Sequence, residues 1–183
     1  MGNPEAQFER TRHNLGAEVV ARLAERHGQR LKLSRNERSL VAEALVGSRR
    51  LALAFPQTYM NDSGWAVVRL VRRYGIDDVS RLVVVQDELD LPVGVVRVKM
   101  GGGTAGHNGL KSVGEHLHER GFARVRIGID KAPGRMTGTD WVLRAPGKAE
   151  REQLDVAVEV AADAVECILE DGVDVAMNRF NSR

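Results

Sequence analysis

Only one cysteine, Cys167, occurs in the 183 residues, so no internal disulfide can form and a reducing, cytoplasmic setting is expected. No apolar run approaches the ~20 residues that a membrane-spanning helix needs. No signal-peptide core follows Met1. These absences exclude secreted, membrane and cysteine-zinc classes. There is no internal repeat, no low-complexity stretch and no linker long enough to divide the chain, which predicts a single domain. With 43% hydrophobic and 28% charged residues, the composition is that of a globular protein with a real core.

The signatures of several reaction classes are missing as well. Four glycines fall within residues 101–106, but His107-Asn108 follows them where a P-loop would have Gly-Lys-Ser/Thr. The run does not align with a G-x-G-x-x-G dinucleotide fingerprint either. There is no G-x-S-x-G elbow, and Cys167 falls within the apolar stripe of a helix, so a serine or cysteine nucleophile is unsupported. His116 and His118 are two residues apart on a helix and share no face, which argues against a metal pair.

Charge is present but unevenly spread. Residues 148–183 hold nine acidic against four basic residues, a net −5, whereas residues 1–147 hold 23 basic against 16 acidic, a net +7. A basic body beside an acidic segment either steers a polyanion to one side or is a solvated charge pattern.

The periodicities predict alternating strands and helices. Leu15, Val19, Val20 and Leu23 recur at helical spacing and stop at Gly28. Leu40–Val46 and Arg50–Phe55 read as a hairpin across Gly47-Ser48. A helix capped at Asn61, Asp62 or Ser63 is expected to carry Trp65, Val68, Val71 and Tyr74 on its apolar stripe. The run at residues 81–86 reads as a strand covered on both faces, and residues 93–99 as another. A helix over residues 108–118 follows, and residues 123–129 alternate with Val125, Ile127 and Ile129 on one face. Residues 130–139 are expected to form a loop over a site, before a long helix over residues 148–171. The fold class is α/β: one domain, with a twisted mixed β-sheet flanked by helices on both faces.

Several residues stand where chemistry can happen. Asp87 directly follows the most buried strand, the usual place for function in an open α/β sheet. His13 in Thr11-Arg12-His13-Asn14 is a natural general base, which a carboxylate partner would orient. Asn3, Asn61 and Asn108 are turn or cap residues by position, or amide donors around a polar cleft. Asp87, Glu88 and Asp90 together offer a second reading, a Mg²⁺ site. The pattern as a whole points to water activated by histidine.

Six segments in order resemble one family. Gly2-Asn3-Pro4 with Thr11–Gly16, Pro56–Gly64, Asp87–Gly94, Gly101–Ser112, Arg124–Ile129 and Ala176–Asn181 are similar to the motifs of bacterial-type peptidyl-tRNA hydrolases. The resemblance covers nearly the whole chain. It implies an enzyme that cleaves the ester between a peptide and the 3′ ribose of tRNA, acting as a monomer with no metal or other cofactor. Carried onto matching positions, it implies His13 as catalytic base and Asp87 as its orienting partner. Asn3, Asn61 and Asn108 would contact the peptide and the 3′ end, Met60 and His107 would line the cleft, and Lys99 and Arg126 would clamp tRNA phosphate. Phe8 stands where a tyrosine is common, Glu5 where a glycine is common, and Gln86 where a histidine is common. Family members begin with an apolar strand ahead of the Gly-Asn-Pro motif, so this chain is expected to lack that strand. The alternative reading is a catalytically silent relative that binds RNA.

Overall fold

A computed structural model describes residues 1–182. Two 3-10 turns, Ala6–Phe8 and Arg12–Asn14, lead into α1 (Leu15–Arg26), whose Leu15, Val19 and Leu23 are fully buried. Three antiparallel strands follow, β1 (Lys32–Ser34), β2 (Ser39–Val46) and β3 (Arg49–Pro56), with β2 and β3 forming the expected hairpin in register from Ser39↔Pro56 to Val46↔Arg49. After α2 (Ser63–Arg73) come β4 (Val83–Glu88), β5 (Val96–Met100), α3 (Asn108–Leu117) and β6 (Ala123–Gly128). The chain ends with α4 (Gly138–Val142), α5 (Lys148–Asp171) and α6 (Val173–Asn181).

The sheet predicted as one is two. β1-β2-β3 is antiparallel, and β4-β6-β5 is mixed, with β4 parallel and β5 antiparallel to the central β6. On its other edge β4 pairs with no strand among the described residues, and residues 1–31 contain none. There the Met1 nitrogen donates to the Val85 carbonyl (2.7 Å). A common apolar core still unites the two sheets: Ala42 and Leu53 of the first pack with Val85, Val98, Val125 and Ile127 of the second and with α1, α5 and α6. The opposite face of β4-β6-β5 carries Val84 and is covered by Leu110 and Val113 of α3, with Phe122 beside them.

Strand alternation sets which side chain goes where. Asp87 pairs across with Ile127 and points with it to the α1 and α5 side, whereas Gln86, Glu88, Arg124 and Arg126 point to the α3 side. Both sides of β6 are covered, so Arg124, on the polar side of the alternation, is also buried.

The stripe that α2 buries is not the predicted one. Ser63, Gly64, Ala66, Val67 and Leu70 are inside, while Trp65 is exposed. The reason is a close helix crossing. The Gly64 amide donates to Ser112 Oγ (3.0 Å), and a Cβ at Gly64 would meet Ser112 O at 2.3 Å. Small residues let α2 and α3 touch, and Trp65 is turned outward as a result. Smaller differences concern ends: β5 begins at Val96 after a turn, α4 already starts at Gly138 within the predicted 130–139 loop, and β1 and α6 were not foreseen.

The α2–α3 contact carries both Asn61 and Asn108 at its ends, so it is a constraint on the site as well as on stability. Gly64→Ala is expected to lower unfolding stability by about 1–3 kcal/mol through overpacking, measured by urea denaturation.

Candidate active site

His13 sits in the 3-10 turn Arg12–Asn14, and that turn is anchored by its neighbours on both sides. The Arg12 guanidinium is buried, donates from Nε and Nη2 to Glu150 (2.7 and 2.6 Å) and from Nη1 to Arg144 O (3.0 Å), and stacks 3.5 Å above the Trp141 ring. Asn14 accepts from the Asn3 amide (2.7 Å) and donates to the Asn3 carbonyl (2.8 Å), tying the Gly2-Asn3-Pro4 segment to the same turn. The sequence reading quoted Arg12 and Asn14 as neighbours of His13 and gave neither a role. Their position beside it was the available signal.

At the C-terminal end of β4 the Asp87 carboxylate is buried between two imidazoles. His13 Nδ1–H donates to Oδ1 and Oδ2 (2.9 and 3.0 Å), and His107 Nε2–H donates to Oδ1 (3.2 Å). The two rings are 4.9 Å apart. The tautomers follow from the partners. His107 is the N-cap of α3, and its Nδ1 accepts from the Leu110 amide (3.3 Å), so its proton is on Nε2. An ionised carboxylate only accepts, so His13 carries its proton on Nδ1 and keeps the lone pair of Nε2. His13 is thereby set up as a base.

The charge state of Asp87 is fixed by the same contacts. Burial alone would push its carboxyl up, but His13 and His107, as charges when protonated and as N–H donors, outweigh burial and hold it well below the usual carboxylate range. His13 Nδ1, His107 Nε2 and one Asp87 oxygen lie within 4.8 Å of one another and are the atoms that could ligate a divalent cation. Doing so would require both imidazole protons to leave.

The remaining predicted residues divide into those drawn to this cluster and those placed apart. Asn3 is buried, and its Oδ1 accepts from the Met60 amide (2.9 Å), which leaves Nδ2 uncommitted among the described residues. Met60 is buried beneath it, Phe8 is half-buried, and Asn61 and Asn108 are exposed at the N-terminal ends of α2 and α3. Lys99 and Arg126 are not at the cluster. They lie diagonally across the β5–β6 ladder on the α3 side, with Arg126 3.7 Å from Glu88 and Lys99 exposed beside Gly102. Arg124, which the sequence reading did not single out, joins them there. It donates to the carbonyls of Gly102 (2.7 Å) and Gly103 and so pins the glycine loop. The Mg²⁺ reading of Asp87, Glu88 and Asp90 fails on geometry: Glu88 points to the opposite face from Asp87, and Asp90 pairs with Lys131 (3.3 Å).

Because its folded pKa is depressed, ionised Asp87 contributes stability that is complete above the ordinary carboxyl value of 3.8 and is lost as pH falls through the lower folded value. The Tm difference between the parent and Asp87→Asn is expected to narrow as pH falls below 3.8, as read by calorimetry.

Comparison with known proteins meets this geometry. The family described as Peptidyl-tRNA hydrolase matches residues 1–183. A peptidyl-tRNA hydrolase of Frankia casuarinae is 47% identical over 182 residues, covering 100% of this chain and 91% of the relative. One of Rhodococcus erythropolis is 43% identical over 181 residues, covering 99% and 95%. The crystal structure of peptidyl-tRNA hydrolase from Acinetobacter baumannii superposes with a TM-score of 0.92 at 34% identity, covering 99% of this chain and 91% of that one. On its sequence, its fold and the match over its whole length, this chain belongs to the peptidyl-tRNA hydrolase family.

Proposed function

We propose that the chain hydrolyses the ester between the peptide and the 3′ ribose of peptidyl-tRNA with a water molecule activated by His13, as a cytoplasmic monomer. The observation that carries this reading is the His13–Asp87 contact, which leaves Nε2 as a lone-pair acceptor. Nε2 takes a proton from water as the oxygen attacks the ester carbonyl. Asp87 holds the ring and stabilises the imidazolium. The resulting tetrahedral oxyanion collapses, the bond to the 3′ oxygen breaks, and that oxygen leaves with the proton from Nε2.

The asparagine amides supply donors for the carbonyl. Asn3 is the one whose orientation is held, because Met60 N–H occupies its oxygen and leaves Nδ2 as the donor. Asn61 and Asn108 flank the cleft from the starts of two packed helices, and Phe8 and Met60 line it. Lys99 and Arg126, with Arg124 beside them, form a basic face suited to a tRNA phosphate away from the reacting atoms. A catalytically silent RNA-binding protein would have no use for a fixed histidine tautomer on a buried carboxylate.

Release of peptide from an N-blocked aminoacyl-tRNA tests the reading. His13→Ala is expected to lower kcat by ~10²–10⁴ while deacylated tRNA still binds; near-normal turnover by the variant would remove His13 from the role of base. Besides lining the cleft, His107 donates to Asp87 and so helps to position His13 through it. His107→Ala is expected to lower kcat about tenfold, on the scale of one hydrogen bond to a charged group, and His107→Gln, which restores a donor at the Nε2 position, to recover most of it.

A further inference from the structure

A concavity of about 660 Å³ is lined in large part by chain neighbours of the proposed site residues: Pro4 and Glu5 follow Asn3, Thr58 and Tyr59 precede Met60, and Asp62 and Trp65 follow Asn61. We propose that it is a side-chain subsite for the peptide half of the substrate, taking a bulky apolar or aromatic side chain of the residue preceding the esterified one. The inference rests on the hydrolase reading and adds a specificity-determining group, Trp65, to it.

Two features of the wall argue for an apolar occupant. Leu33, Tyr59 and Trp65 are 59%, 56% and 58% exposed and line this one concavity, while Leu45, Val156 and Val175 are the other large hydrophobics exposed among the described residues. Gathered exposed apolar groups mark binding surfaces, whereas scattered ones do not. The aromatic rings are also held in place. Trp65 meets the His116 ring edge-on (4.6 Å between centroids, 62°), and Tyr59 Oη donates to Glu5 Oε1 (2.7 Å). Rings already fixed lose little freedom when a ligand packs on them.

Charge argues for peptide over RNA. Arg35 and Arg38 in the lining are balanced by Glu5 and Asp62, so no net positive track for phosphates runs through the concavity. Lys99 and Arg126 do not line it and stand on the β5–β6 ladder instead. On the floor, Thr58 is nine-tenths buried, and its hydroxyl has no partner among the described residues, an unspent hydrogen-bonding group next to the apolar wall.

The test uses two substrates on the same tRNA, acetyl-Phe-Gly-tRNA and acetyl-Gly-Gly-tRNA. The parent is expected to favour the Phe substrate in kcat/KM by about tenfold, as burial of one large apolar side chain allows. Trp65→Ala and Leu33→Ala should each shrink that ratio severalfold, and Trp65→Phe should restore most of it. These side chains are exposed, so circular dichroism should show the variants folded. Equal kcat/KM for the two substrates in the parent overturns the subsite. An equal loss on both substrates in Trp65→Ala, with weaker binding of deacylated tRNA, also overturns it and assigns the wall to the RNA 3′ end. Cleavage of neither substrate by the parent overturns the hydrolase reading and the subsite with it.

Discussion

Much of this molecule is arranged to keep one carboxylate ionised away from water. A buried Asp87 without partners would take up a proton, and His13 would lose the acceptor that fixes its tautomer. Two N–H donors prevent that, and each is held by a different part of the fold. His13 is held through the Arg12 anchor on Glu150, Arg144 and Trp141, and His107 through its place as the N-cap of α3. His13, Asp87 and His107 therefore belong to three separate elements. They meet only because Asp87, near the end of β4, lies between the start of α1 and the start of α3.

The charge asymmetry has a structural explanation that the totals conceal. The acidic residues of α5 do not form a free negative surface. Arg26 of α1 binds Glu159, Asp163 and Glu166 (2.6, 2.7 and 3.1 Å), Arg151 binds Glu18 (2.9 Å), and Arg12 binds Glu150. Partly exposed pairs of this kind add little stability one by one, but together they neutralise the helix where it packs on α1. Lys99 stands exposed on the β5–β6 ladder, beside the glycine loop that Arg124 pins.

The cleft is lined by groups whose orientation is set locally. Asn14 locks the Asn3 backbone, and Asn3 in turn holds Met60, so three short segments far apart in sequence move as one. The close approach of Gly64 to Ser112 brings the starts of α2 and α3 together and turns Trp65 outward. One packing contact thus places two asparagines and leaves an aromatic ring free to meet a ligand.

The sequence by itself determined the class of the fold, the long helix over residues 148–171 and the hairpin across Gly47-Ser48, because each rests on a local period or a breaker. It also placed Asp87 at a strand end. Tertiary structure decided the rest. A period of two says that β6 has two faces but not that both are covered, so Arg124 was hidden in the pattern. A helical stripe that includes Trp65 looks apolar, yet a glycine on the next face permits a tighter contact and wins the core. The tautomers of His13 and His107, the failure of Asp87, Glu88 and Asp90 to converge, and the division into two sheets depend on which groups meet across tens of residues. Spacing along a chain carries no such information, because hydrogen bonds and close contacts are set by the packing of whole elements.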